Sequence, residues 1–219
     1  MQAIWFIQLP VMNITYCINE DHIQLIDEDE RRRYDATFYE ESLKNMPMRV
    51  SLKKCAQPLS VMNIIAKIND DSKIQYLPGA AKGIVLCIQL IENGCLMEFN
   101  TLDCMEIDYS KNAVDIRFIS ADLPFKYRFN PGGTLYRLDI FLPQKEASSL
   151  LNKEILAVLD QKRHFAINKI ELQAFRKKIE TVLRESEKHF NKDRLCNDVD
   201  KVLELIKRNF DDNKISFDT

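Results

Sequence analysis

The sequence predicts an α+β protein, an antiparallel β-barrel or sandwich followed by a C-terminal helical segment of two or three helices. Three observations predict it. All seven prolines and all five glycines lie before residue 144, and the remaining stretch to Thr219 has neither. Proline removes a backbone donor and glycine raises the entropic cost of a helix, so their joint absence marks helical chain. Upstream, short apolar runs alternate with polar residues between turn signals, the period of strands. After Pro143 the apolar period lengthens from two to three or four. The chain therefore divides into a β domain, residues 1–143, and a helical segment, residues 144–219.

Ile14, Tyr16 and Ile18 alternate and the pattern resumes at Ile23–Ile26, which predicts a strand-turn-strand. The charged run Asp27–Arg33 has no apolar residue and reads as a solvated loop or first helical turn. Its arginines, Arg31, Arg32 and Arg33, also have the donor geometry for a phosphate. Met46–Leu52 alternates behind Pro47 and reads as a strand able to sit at a sheet edge. Leu59–Ile68 carries Val61, Ile64, Ile65 and Ile68 at helical spacing after Ser60, a reasonable N-cap, and predicts a short helix. Gly83–Ile91 and Cys95–Phe99 flank Asn93-Gly94, a strong short hairpin signature, since both turn residues accept positive φ. This pair is expected at the centre of the sheet. Ser110–Asn112 separates two further strands, and Asn130-Pro-Gly-Gly133 turns the chain into Thr134–Leu142.

In the tail, Leu151, Ile155, Val158 and Leu159 form one apolar stripe. Ile167, Ile170, Phe175, Ile179 and Leu183 form a second, and Leu195, Val199, Val202, Leu205, Ile206 and Phe210 a third. Asn168 and Glu171 resemble a capping box, so a break is expected between Gln161 and Ile167. Three stripes are more than a small β domain is expected to cover. The stripes, above all Leu151, Ile155, Leu159, Phe175, Ile179, Leu183, Val199, Val202 and Ile206, are therefore candidates for self-association or for a protein partner.

Composition excludes several classes. An apolar fraction of 46% with 29% charged residues is that of an ordinary globular protein. The net charge of −2 supplies no field that would draw nucleic acid. No run approaches the roughly 18 apolar residues of a membrane span. The six cysteines show no two-residue spacing of a zinc or redox motif and sit mostly in apolar runs, so they are expected to be reduced, which favours the cytoplasm. Residues 1–11 have no basic start or cleavage site, and Met12 is an alternative first residue.

His22, His164 and His189 have no ligand spacing around them, and the two in the tail fall on different predicted helices. No glycine-rich phosphate loop or nucleophile elbow is present. No metal, cofactor or catalytic residue is assigned. An unrecognised carboxylate site, for which Asp103 and Asp108 would serve, is the enzymatic alternative. Aromatic and basic residues interleave at Phe125–Phe129, with Lys126 and Arg128, and again at Tyr136-Arg137. They could stack a nucleotide base, or simply alternate inward rings with outward charges.

Ile88–Met97, with Gly94 at its turn, is similar to the strand-turn-strand of PilZ domains, a bacterial signalling family. Gln89 and Ile91 stand where that family has Asp and Ser. Arg31–Arg33 and Arg49–Lys53 are the candidates for its arginine arm, and Asn130–Pro143 resembles its Pro-Gly turn and following strand. The resemblance spans residues 31–143. It implies a small β-barrel that receives cyclic diguanylate, with Arg31, Arg32, Arg33, Arg49 and Gly94 near the ligand, and long helices that assemble an oligomer; Lys126 and Arg128 are further ligand candidates through the aromatic-basic interleaving. The resulting expectation is a non-catalytic cytoplasmic regulator or adaptor acting through protein–protein contacts. A subunit of a multi-protein machine such as a secretion complex is the alternative.

Overall fold

The computed structural model describes the backbone of residues 13–18, 23–27, 32–36, 38–42, 48–54, 59–68, 72–91, 93–99, 104–107, 113–151, 153–167, 173–188 and 192–211. Side chains are described for 14–18, 59–68, 72–91, 93–99, 114–151, 153, 155–167, 177–184 and 196–208. Residues 1–11, Arg31, Asp103, Asp108, the turn at 110–112, the capping pair at Asn168 and Glu171, His22 and His189 lie outside this set.

Two seven-stranded sheets face each other. The first is ordered β10(Cys104–Ile107), β9(Cys95–Glu98), β12(Phe125–Phe129), β7(Lys73–Pro78), β1(Asn13–Ile18), β2(Ile23–Asp27), β3(Arg32–Ala36). The second is ordered β14(His164–Ala166), β11(Ala113–Ser120), β8(Gly83–Ile91), β13(Thr134–Pro143), β6(Ser60–Lys67), β5(Met48–Lys54), β4(Phe38–Ser42). Pairing is antiparallel except between β1 and β7, which run parallel. The sheets do not close into a barrel, so the sandwich alternative holds. Four helices follow among the described residues: α1(Gln144–Leu150), α2(Lys153–Lys162), α3(Gln173–Lys188) and α4(Lys192–Asp211).

Two cores result. Between the sheets, Ile14, Tyr16 and Ile18 of β1, Ile74 and Tyr76 of β7 and Phe125, Tyr127 and Phe129 of β12 meet Met62, Ile64 and Ala66 of β6 and Val85 of β8. On the far side of the second sheet, Val61, Leu86, Ile88, Ile116, Phe118, Tyr136, Leu138 and Ile140 are covered by the helices. The tail stripes are used there. Leu151, Ile155, Leu159, Ile179, Leu183, Val199, Val202 and Ile206 are all buried in that outer core. The Phe175 side chain is not among those described. The strands β11, β8, β13 and β6 of the second sheet are thus buried on both faces, and the order of events along the sheet differs from several expectations.

Leu59–Ile68 is not a helix but contains β6. Its outward Val61 and Ile65 enter the helical core while its inward Met62, Ile64 and Ala66 enter the sandwich core. A strand apolar on both faces contains every spacing, including three and four, and so mimics a helix. The Asn93-Gly94 turn does not join a hairpin, because β8 lies in the second sheet and β9 in the first. Gly94 takes φ 78 as a tight turn requires, but the turn is an arch over the end of the sandwich. Asn130–Gly133 is a second arch, from β12 to β13. The two dock on each other: Asn93 Nδ2 donates to the Pro131 carbonyl (2.8 Å) and Asn130 Nδ2 to the Asn93 carbonyl (2.9 Å).

The tail breaks where expected, but the break is a strand. Arg163 closes α2 in the left-handed conformation (φ 63), its N–H donating to the Leu159 carbonyl at 2.8 Å. Its guanidinium reaches Asp122 at 3.0 Å. The chain then extends, and His164–Ala166 pairs along β11 at the sheet edge. His164 is therefore in a strand rather than a helix, its ring stacked on Phe99 of the opposite sheet at 3.8 Å. Among the described residues no helix is long and apolar enough to cross a membrane.

Candidate functional site

The second sheet aims polar side chains into the sandwich. Register places Arg137 (β13), Gln89 (β8) and Asp115 (β11) in one row across three neighbouring strands. Asp139, Cys87 and Arg117 form the adjacent row. Arginine and aspartate alternate both along and across the strands, so each charge has an opposite one beside it. These positions share the inward face because side chains two apart on a strand point the same way.

Arg137 is fully buried, with 0% of its side chain exposed. Its Nε donates to Asp139 Oδ2 (2.9 Å), Nη1 to Gln89 Oε1 (2.9 Å) and Nη2 to Cys87 Sγ (3.5 Å). The plane lies 4.4 Å from the Tyr127 ring centre, a cation–π distance. Gln89 Nε2 passes the network on to Asp115 Oδ2 (3.2 Å), which also accepts from Arg117 Nε (2.9 Å). From the first sheet, Tyr16 Oη donates to Asp139 Oδ2 at 2.9 Å. Asp139 Oδ1 and Tyr127 Oη are buried with no partner among the described residues. A buried polar network with open valences is costly to the fold and is a place where function is sought.

Burial pushes the Tyr16, Tyr127 and Cys87 groups well above their ordinary values, because the anion of each would lose its hydration. Burial works most strongly against the Arg137 charge, but Asp139, Cys87, Tyr16 and Tyr127 together more than offset it, and the guanidinium stays protonated. Cys95, nearby on β9, is pushed by burial from 9.0 to about 12. Its folded-state value is raised, so the stability tied to the protonated thiol is fully present below about pH 9 and is lost as pH rises toward 12. Between pH 9 and 12 the unfolded chain releases a proton that the folded chain keeps. Stability is expected to fall with rising pH in that window, by up to about 1.4 kcal/mol per pH unit for each such thiol, as denaturant titrations would show. Below it, Cys87 and Cys95 should resist alkylation until the protein unfolds.

Beside the network a cleft of about 140 Å³ is lined by Gln75, Tyr76, Glu98, Phe99, Pro124, Phe125 and Lys126. Tyr76 and Phe125 belong to both features. They stack at 4.9 Å, and Tyr16 lies 5.2 and 6.3 Å from them. The Tyr76 hydroxyl is fixed by donating to the Ala121 carbonyl (2.5 Å).

The described members of the arginine clamp expected from sequence fall on different sheets. Arg32 and Arg33 lie on β3 at the edge of the first sheet, and Arg49 lies on β5 in the second. Gly94 serves the arch described above. Lys126 and Arg128 are on the outward face of β12 and Phe125, Tyr127 and Phe129 on the inward face, with Arg128 paired to Glu98 at 3.0 Å. The rings therefore do not form an exposed platform with those cations, and Arg137 is interior rather than available to stack a base. Among the described residues no group of three or more metal-ligating side chains is gathered. Cys17, Cys87 and Cys95 are thiols outside any disulfide, but Cys196 is disulfide-bonded, against the expectation that all six cysteines are reduced. Sequence spacing does not show which cysteines a fold brings within bonding reach.

Sequence reasoning missed the network. Its signal was the pair of charges two apart inside apolar strands, Asp115-Ile-Arg117 and Arg137-Leu-Asp139, which ordinarily reads as a solvent face.

No family model matches the chain, and no curated protein does. Similarity to solved structures is low in both identity and TM-score. The AraC-like transcriptional activator CuxR has 9% identity and a TM-score of 0.47, covering 74% of this chain and 55% of its own. The chain thus spans little more than half of that protein. A cupin_2 domain of an XRE family transcriptional regulator from Enterobacter cloacae has 14% identity over 43% of this chain and 95% of its own, with a TM-score of 0.30. The polyketide cyclase RemF from Streptomyces resistomycificus has 10% identity over 48% of this chain and 72% of its own, with a TM-score of 0.28. The expectation of a PilZ domain acting in cyclic diguanylate signalling is overturned by the sheet topology. No family model matches, the sheets are not closed into a barrel, and the quoted strand-turn-strand spans two sheets.

Proposed function

We propose that the chain is a ligand-responsive regulatory protein, in which the sandwich interior senses a small molecule and the helical layer carries the output. One observation supports this above others. The strands that hold the network also hold the helices: on β13, Arg137 and Asp139 face the interior while Tyr136, Leu138 and Ile140 face the helical core. Arg184 of α3 lies 5.4 Å from the Tyr136 ring. A change in the network therefore bears on helix packing through one residue of strand, and packed layers respond in discrete steps rather than by gradual deformation. The exposed sides of α3 and α4, with Lys177, Lys178, Lys207 and Arg208, are where a protein partner or second copy would read the change.

Tyr16→Phe tests the relay. It removes one hydrogen bond from the first sheet to Asp139 at almost constant volume, a loss of about 1 kcal/mol. Hydrogen exchange in α3 and α4 is expected to rise by about fivefold, more than in the edge strands β2 and β3, although the helices lie on the far side of the second sheet. Helix exchange that is unchanged, or that rises no more than at those edges, would overturn the relay.

A further inference from the structure

The cleft beside the network has the size, walls and charge of a binding site. It lies where β9 leaves the first sheet. The last pair of that ladder is Lys126 with Glu98, while Phe125 continues to pair with Tyr76 on the other side. The walls come from Tyr76, Phe99, Pro124 and Phe125, and the rim from Gln75, Glu98 and Lys126. A space of about 150 Å³ lined by apolar side chains takes one six-membered ring, and this cleft has about 140 Å³. Aromatic walls favour an aromatic occupant, which gains from stacked or edge contacts beyond its buried area.

The rim sets the second half of the ligand. Glu98 is engaged by Arg128 at 3.0 Å, so its charge is already met. Lys126 is half-buried beside apolar surface, where a cation gains more from a counter-ion than it would in open water. Gln75 and Glu98 sit directly across from Lys126 on the two neighbouring strands. With Glu98 met by Arg128, which lies outside the cleft lining, the charge of Lys126 leaves the rim positive. The Gln75 amide adds a donor.

We infer that this cleft binds a small aromatic carboxylate, its ring against Phe99, Pro124 and Phe125 and its carboxylate on Lys126 and Gln75. The occupant would lie over Phe125, whose ring contacts Tyr16, and the Tyr16 hydroxyl ends on Asp139. The site stands on its own geometry. Its role as the trigger rests on the relay proposed above.

Titration of the full chain with benzoate, followed by calorimetry and by the NMR signals of the cleft residues, tests the site. Benzoate is expected to saturate at about 1 mM, as befits a ligand of this size. Benzylammonium should bind at least tenfold more weakly. Lys126→Gln, a change on the outer face of the sheet, should weaken benzoate by about five- to tenfold and leave phenol unaffected, and Lys126→Arg should restore most of the loss. Absence of saturable benzoate binding, or binding indifferent to Lys126→Gln, would overturn the site. The two readings separate cleanly. Benzoate that binds through Lys126 without altering exchange in α3 and α4 supports the site and removes its role as trigger. No binding, with Tyr16→Phe still loosening the helices, removes the site and leaves the relay.

Discussion

Asp139→Ala is expected to destabilise the protein by about 3–5 kcal/mol, read as a fall in the midpoint of denaturant unfolding. The reason is the charge left behind. Arg137 is fully buried and directs Nε at Asp139 Oδ2, which also takes the Tyr16 hydroxyl. Without the carboxylate a guanidinium remains in the core with its nearest counter-charge gone, and Tyr16 loses its acceptor. Replacing both partners, as Arg137→Met with Asp139→Leu, should cost far less and could even stabilise, because no charge is stranded. A single variant as stable as the wild type would show that Arg137 is not held by this pair. The double variant also separates stability from role: a folded protein with an apolar interior should have lost the relay to the helices.

The second large effect is expected at Gly83, where β8 begins opposite Pro143 of β13. A Cβ there would lie 2.2 Å from the Leu142 carbonyl oxygen and 3.0 Å from the Pro143 Cα. Both obstacles are backbone, at the end where β8 begins and β13 finishes. No side chain can turn aside to relieve them. Gly83→Ala should therefore cost about 3 kcal/mol or more, the upper end for overpacking, with thermal unfolding as the measure. The Gly83 carbonyl also accepts from the Ala121 N–H at 2.9 Å, so a shift of this corner would disturb the segment that anchors Tyr76. An unchanged midpoint would mean that the two strands separate at no cost.

Strands, turns and the helical tail were legible because they depend on local period and on turn chemistry. What covers each face was not. Asp115-Ile-Arg117 alternates as a half-exposed strand does, yet its polar face is the interior and its apolar face meets the helices. Period identifies two faces without saying which one meets water. β6 was hidden by the same ignorance, since a strand covered on both sides has no alternation to show. The arches were misassigned for a different reason. Asn93-Gly94 states that the chain reverses, and whether the next strand pairs with the last or crosses to the facing sheet depends on partners far away in sequence. As for the site, Lys126 was legible as a strand cation beside aromatics, but Gln75 and Glu98 join it only through register. The tail stripes were identified correctly as apolar and assigned to partners, whereas those with described side chains, Leu151 to Ile206, are buried in the chain's own outer core.

The crossing of the arches has a consequence for how the chain folds. From β6 to β9 and again from β10 to β13, each strand lies in the opposite sheet from the one before. Almost none of these strands can form its ladder with its neighbour in sequence. The central strand β13 needs β6, pairing Tyr136 with Ile65, before its inward charges are enclosed. Such topologies fold on the slow side of the observed range, because distant segments must be brought together before any contact rewards them. The helices form from local contacts and so are ready early, but the surface they pack on does not exist until three remote strands have joined. During that interval their apolar stripes are the exposed part of the molecule, and it is there that a chaperone or a second nascent chain would first find it.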